Sequence, residues 1–79
     1  MYRKQIFLKD LDEVKHFVEM TAKYEKLKIN LISGIYTIDA HSIIGIVSLD
    51  ISTPILLEVP EEEPSAEFIE DIKKFAFEE

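Results

Sequence analysis

The chain has 79 residues, 47% of them hydrophobic and none of them cysteine, so it can bury one small core and has neither disulfides nor thiolate metal sites. Sixteen acidic against nine basic residues give a net charge of −7, and Arg3 is the only arginine. Binding to nucleic acid or to an anionic membrane draws on Lys and Arg to neutralise phosphates, so both are disfavoured and a protein or small-molecule partner is expected.

Lys4–Leu8 reads as a short strand. Asp10 is placed to cap a helix, with Glu13 three residues on to complete a capping box. Leu11, Val14, Val18, Thr21 and Ala22 then follow at helical spacing on one face, with Lys15, Glu19 and Lys23 on the other, and the helix is expected to run to about Tyr24. From Lys28 to Ser33 the period changes to two, Gly34 interrupts it, and Ile35–Asp39 resumes it, which predicts a hairpin about Ser33-Gly34. Asp39 or Ser42 caps a second, shorter helix through about Leu49. Pro54 marks the next break, and Ile55–Val59 is short and apolar enough for a buried strand. The proline-bounded Glu61-Glu62-Glu63 run is a solvated loop, after which Ser65 opens a last helix with Phe68, Ile69, Ile72, Phe75 and Ala76 along one side. The order β-α-β-β-α-β-α predicts an α+β fold, an antiparallel sheet with three helices on one face, in a single domain over residues 1–79.

The second helix carries more apolar surface than one sheet face can cover. With Ile46 and Leu49 inward, Ile43, Ile44 and Val47 are left partly exposed, which is how a partner surface reads. A homodimer contact and a deeper core are the competing explanations. The two histidines, His16 and His41, are expected to be partly exposed on the surface, and no spacing marks a metal pair or a cofactor site. Asp10, Asp12 and Glu13 lack the pocket and electrophile that acid/base chemistry requires. The apolar stretch after Met1–Gln5 is too short for a signal peptide, and no run approaches the roughly 18 residues of a membrane span, so the cytoplasm is the expected location.

Asp39-Ala40-His41-Ser42-Ile43-Ile44-Gly45, continuing Ile46-Val47-Ser48-Leu49, resembles the Lys-Ser-Ile-Met-Gly segment and following serine-leucine of HPr, the histidine-containing phosphocarrier of the bacterial sugar phosphotransferase system. Thr21-Ala22-Lys23-Tyr24 and Ile29-Asn30-Leu31 resemble the end of its first helix and its second strand. The similarity spans nearly the whole chain, with one-residue insertions within Glu25–Lys28 and Ile35–Asp39. It implies the HPr-like open-faced β-sandwich. The family's His-Ala-Arg-Pro motif stands where strand one meets helix one, and counting back from Tyr24 puts Asp10, Asp12 and Glu13 at its histidine, arginine and proline.

A degenerate phosphohistidine locus of this kind argues against phosphate transfer and against an enzyme. The resemblance therefore implies a non-catalytic binding or regulatory protein related to the sugar phosphotransferase system. Its partner surface would be Ile43, Ile44 and Val47, and Ser42 would match the serine that a dedicated kinase modifies in many relatives, unless it serves only as a helix cap. A histidine-free variant of HPr in catabolite repression is a parallel, although it retains the arginine. The alternatives are a phosphocarrier with an atypical acceptor, such as His16 or His41, and a dimeric accessory protein without phosphate chemistry.

Overall fold

The computed structural model describes residues 1–77. Its strands are β1 (Tyr2–Ile6), β2 (Asn30–Ser33), β3 (Tyr36–Asp39) and β4 (Ile55–Val59), and its helices are α1 (Leu11–Ala22), α2 (Ile43–Val47) and α3 (Ala66–Ile72), the last continued by a 3-10 turn at Lys73–Phe75. The strands form one sheet in the order β1-β4-β2-β3, every neighbouring pair antiparallel.

Alternation decides which face is covered. Ile55, Leu57 and Val59 of β4 are buried, while Leu56 and Glu58 between them are only half-buried. Directly paired residues share a face, so the register Ile6↔Ile55 and Leu31↔Leu57 adds Ile6 and Leu31 to the covered side. All three helices supply buried side chains to that same core: Val14, Phe17 and Met20 from α1, Ile46 from α2, and Phe68 and Ile72 from α3. The result is the expected α+β open-faced sandwich, with three helices on one face. Fully buried side chains such as Phe17 and Phe68 contribute about 1.5–3 kcal/mol each against exposure. Edge-to-face rings tie the layers together, Phe17 to Phe75 at 5.3 Å and Tyr24 to Phe68 at 5.1 Å.

Three details depart from the sequence reading. The core stripe of α1 is Val14, Phe17, Met20 and Thr21, whereas Leu11 is 55% exposed and Ala22 is exposed. Rotation toward 14-17-21 puts Phe17, the one aromatic of the helix, and Met20 into the core. The first strand begins at Tyr2, because Val59 at the far end of β4 is its partner. The chain after α3 then returns along β1: Phe7 N–H donates to Phe75 O at 2.8 Å, Phe77 N–H to Gln5 O at 2.9 Å, and Ile6 bridges Ala76. This return covers part of the β1 edge, where unpaired backbone would otherwise invite a second chain. At the hairpin, Ser33 pairs with Tyr36 and leaves a two-residue loop, whose first position, Gly34, has φ +60, a conformation that glycine adopts at little steric cost.

Candidate functional site

The β3–α2 connection is held from both sides. The one proton of the buried Thr21 hydroxyl is shared between Val18 O at 3.0 Å and Ala40 O at 3.2 Å, which links the end of α1 to the entry of α2. His41 is half-buried, in keeping with the partial exposure expected of it, and its Nε2 lies 3.0 Å from Leu27 O. A carbonyl can only accept, so that nitrogen carries the proton and is committed to this bond. Of the two expected caps, Ser42 is the one used. Its backbone is extended and its Oγ accepts the Gly45 N–H at 3.1 Å, while the Asp39 carboxylate instead takes the His41 N–H at 2.8 Å.

From this cap α2 runs five residues, and geometry sorts their side chains. At 3.6 residues per turn, Ile43, Val47 and Ile44 lie about 60°, 100° and 160° around the axis from Ile46. Exposure follows that order: Ile46 is 0% exposed, Ile43 40%, Val47 45% and Ile44 78%. The helix therefore anchors through Ile46 and turns an arc of three aliphatic side chains outward. Leu49, expected inward, is half-buried against the core, beyond the end of the helix.

At the start of α1, Asp10 has extended backbone and its Oδ1 accepts the Glu13 N–H at 2.9 Å, one half of the expected capping box. Asp12 is exposed and Glu13 half-buried in the first turn. No histidine stands at the junction of β1 and α1; His16 comes first, in the second turn, exposed at a shallow cleft that it shares with Glu13, Lys23, Asp71 and Lys74. Sequence reasoning missed a set of cations here. The hollow between this junction and the chain after α3 is lined by Lys9, Lys73 and Lys74 together with Glu13 and the aromatic rings of Phe7 and Phe77. Lys9 was visible beside Asp10, but only the return of the chain along β1 brings the two later lysines near.

A second polar cluster joins α1 to α3. Asp71 accepts the Tyr24 hydroxyl at 2.7 Å and the Lys23 ammonium at 2.8 Å, with its side chain 15% exposed. The bond from Lys23, then that from Tyr24, holds the Asp71 carboxyl below its ordinary value. Burial, followed by the neighbouring carboxylate, pushes the Tyr24 phenol well above its own. Every group in this cluster has a partner, and the arrangement is that of a clasp between helices. Among the described residues, no group of three or more His, Asp or Glu side chains is placed to hold a metal ion, and no helix is long and apolar enough to cross a membrane.

No protein-family model matches the chain, and comparison with curated proteins finds no match. Among solved structures, the crystal structure of HPr-C-His from Thermoanaerobacter tengcongensis is similar, with a TM-score of 0.75 and 22% sequence identity over 94% of this chain and 89% of that one. The fold is HPr-like.

Proposed function

We propose that the chain is a non-catalytic, HPr-like binding protein of a phosphotransferase-type system that docks a protein partner through α2. The observation that carries the reading is the aliphatic arc of Ile43, Ile44 and Val47, with Ile44 78% exposed beside a fully buried Ile46. Clustered exposed aliphatics of this kind mark interaction surfaces. The HPr-like fold supports the link to phosphotransfer components, as does the local resemblance of residues 39–49 to the phosphocarrier segment. The acidic start of α1 favours binding over phosphate transfer, because Asp10 already fills the capping position with a fixed carboxylate.

Ser42 is the proposed switch. Its Oγ stands at the entry of α2 next to Ile43, and a phosphate there adds about −1.5 to −2 charges at the rim of the docking arc. Modification would thus alter partner choice without unfolding the helix, since phosphate oxygens can accept the same Gly45 N–H.

Affinity capture from host lysate tests the reading, comparing the native chain with Ile44→Asp and Val47→Asp. An aliphatic side chain moved from water into an interface contributes about 1.5–3 kcal/mol, so each loss weakens partner binding by about ten- to 150-fold. Thermal stability measured in parallel is expected to hold. Partners recovered equally well by the variants, or recovered less well only because the variants unfold, would refute the docking role of α2.

A further inference from the structure

The charges around α2 point to the chemistry of what it binds. Between Ile29 and Ile72 the chain has nine carboxylates and no lysine or arginine. α2 lies within this stretch, and residues 40–49 contain no acidic or basic side chain other than His41. Asp39 and Asp50 bracket them, both exposed. Each is held by a short local turn through the same oxygen: Asp39 Oδ1 accepts the His41 N–H at 2.8 Å, and Asp50 Oδ1 accepts the Ser52 N–H at 3.0 Å together with the Ser52 hydroxyl. The second oxygen of each carboxylate is left for a partner, on a side chain that has already lost much of its rotamer freedom. The bonds from Ser52 also hold the Asp50 carboxyl below its ordinary value. At the entry of α2, Glu25, Lys26 and Lys28 share a hollow with Asp39 and His41, so the sign there is mixed. Past its end, Asp50 stands in sequence without a cation.

We infer that the arc of Ile43, Ile44 and Val47 takes a polypeptide segment whose aliphatic side chains are flanked by lysines or arginines, which pair with Asp39 and Asp50. The inference rests on the docking reading above and adds the partner's charge to it. A second copy of this chain fits poorly. It brings another −7, and a two-fold contact centred on α2 would set the same aspartates against one another. An anionic lipid surface is repelled for the same reason.

The test is an amide-resonance titration of the full chain with a short amphipathic helical peptide, leucine on one face and lysine on the others, against counterparts with the lysines replaced by glutamate or by glutamine. The lysine peptide is expected to shift residues 39–51 and the glutamate peptide to leave them unmoved. Neutralising both aspartates, Asp39→Asn with Asp50→Asn, removes two exposed ion pairs and should weaken binding about two- to thirtyfold, while asparagine can still accept the local turn bonds. Salt should act in the same direction, since the Debye length falls from about 10 Å at 0.1 M to about 3 Å at 1 M. Replacing Glu61, Glu62 and Glu63 by glutamine should have no comparable effect.

Equal binding of the glutamate or glutamine peptide at residues 39–51 would refute the charge assignment and leave the docking reading standing. Shifts from the lysine peptide spread over the acidic loop, or absent from residues 39–51, would also overturn it, and the docking reading would then be decided by its own lysate comparison. Concentration-dependent mass showing a dimer through α2, or binding of the free chain to uncharged lipid vesicles, would replace the basic segment by another occupant.

Discussion

Ile46 and Ile44 are two residues apart in the same five-residue helix, and the fold assigns them opposite energetic roles. Ile46 is 0% exposed and is the buried side chain through which α2 joins the core, whereas Ile44 is 78% exposed. Truncating a buried isoleucine to alanine loses its transfer free energy and leaves a cavity, together about 2–5 kcal/mol. For a chain of this length, whose total stability is on the order of 4–12 kcal/mol, that is a large fraction. At about 4–8 °C per kcal/mol for a small domain, even the lower bound moves the melting temperature of Ile46→Ala down by about 8–16 °C. Ile44→Ala removes the same atoms from a site already mostly in water and is expected to stay within about 0.5 kcal/mol. Thermal and urea unfolding followed by far-ultraviolet circular dichroism measures both. Equal destabilisation by the two, or a larger loss for Ile44→Ala, would mean that α2 is rotated about its axis, and the outward arc on which the docking reading depends would not exist.

Tyr24→Phe removes the hydroxyl that donates to Asp71 at 2.7 Å but keeps the ring against Phe68, so a loss of about 1.5–3 kcal/mol, the range for hydrogen bonds to charged groups, is expected as a lower urea midpoint. Asp71 has a folded pKa below its ordinary 3.8, so the stability it contributes is present above that value and is lost as pH falls through the folded one. Urea midpoints should therefore drop below about pH 4, and Asp71→Asn should flatten that part of the profile. Incubation with phosphoenolpyruvate and the phosphoenolpyruvate-driven enzyme of the phosphotransferase system should leave the intact mass unchanged, and an acid-labile gain of one phosphoryl group abolished by changing His16 or His41 would overturn the non-catalytic reading.

The parts of the fold that were legible in the sequence are those where a local physical rule acts alone. Gly34 announced the hairpin because the loop needs a positive φ, and Ser42 and Ser65 announced helix starts because each side chain satisfies a backbone N–H three residues on. The outward arc of α2 was legible as well, since five residues cannot bury four branched aliphatics against one sheet. The rotation of α1 was not. Leu11, Val14, Val18 and Ala22 make as regular a stripe as Val14, Phe17 and Thr21, and only the sheet beneath selects the second. The pairing of Phe75–Phe77 with β1, and with it Lys73 and Lys74 beside Glu13, joins the two ends of the chain and leaves no local signature. The bond from His41 to Leu27 O depends likewise on a turn fourteen residues earlier in the chain.

Those two late lysines bear on whether the start of α1 can hold a phosphate, so the competing terms need weighing. Lys73 is engaged with Glu70 at 2.9 Å, and Lys74 lies near Asp71, whose carboxyl it helps to hold ionised. Both act across solvent, where one charge at 4 Å is worth about 1 kcal/mol. Against them stand Asp12 and Glu13 in the first turn and Asp10, whose Oδ1 sits 2.9 Å from the Glu13 nitrogen. A phosphate needs the N–H groups at a helix start as its donors, and here a covalently attached carboxylate already takes one of them. An entering phosphate must displace that cap, at about 0.5–2 kcal/mol, and then face three carboxylates at close range. The helix dipole returns only about 0.3–1 kcal/mol at an exposed end. The balance favours the intact cap. Lys73 then stays with Glu70 and Lys74 near Asp71, while Ile43, Ile44 and Val47 of α2 remain exposed.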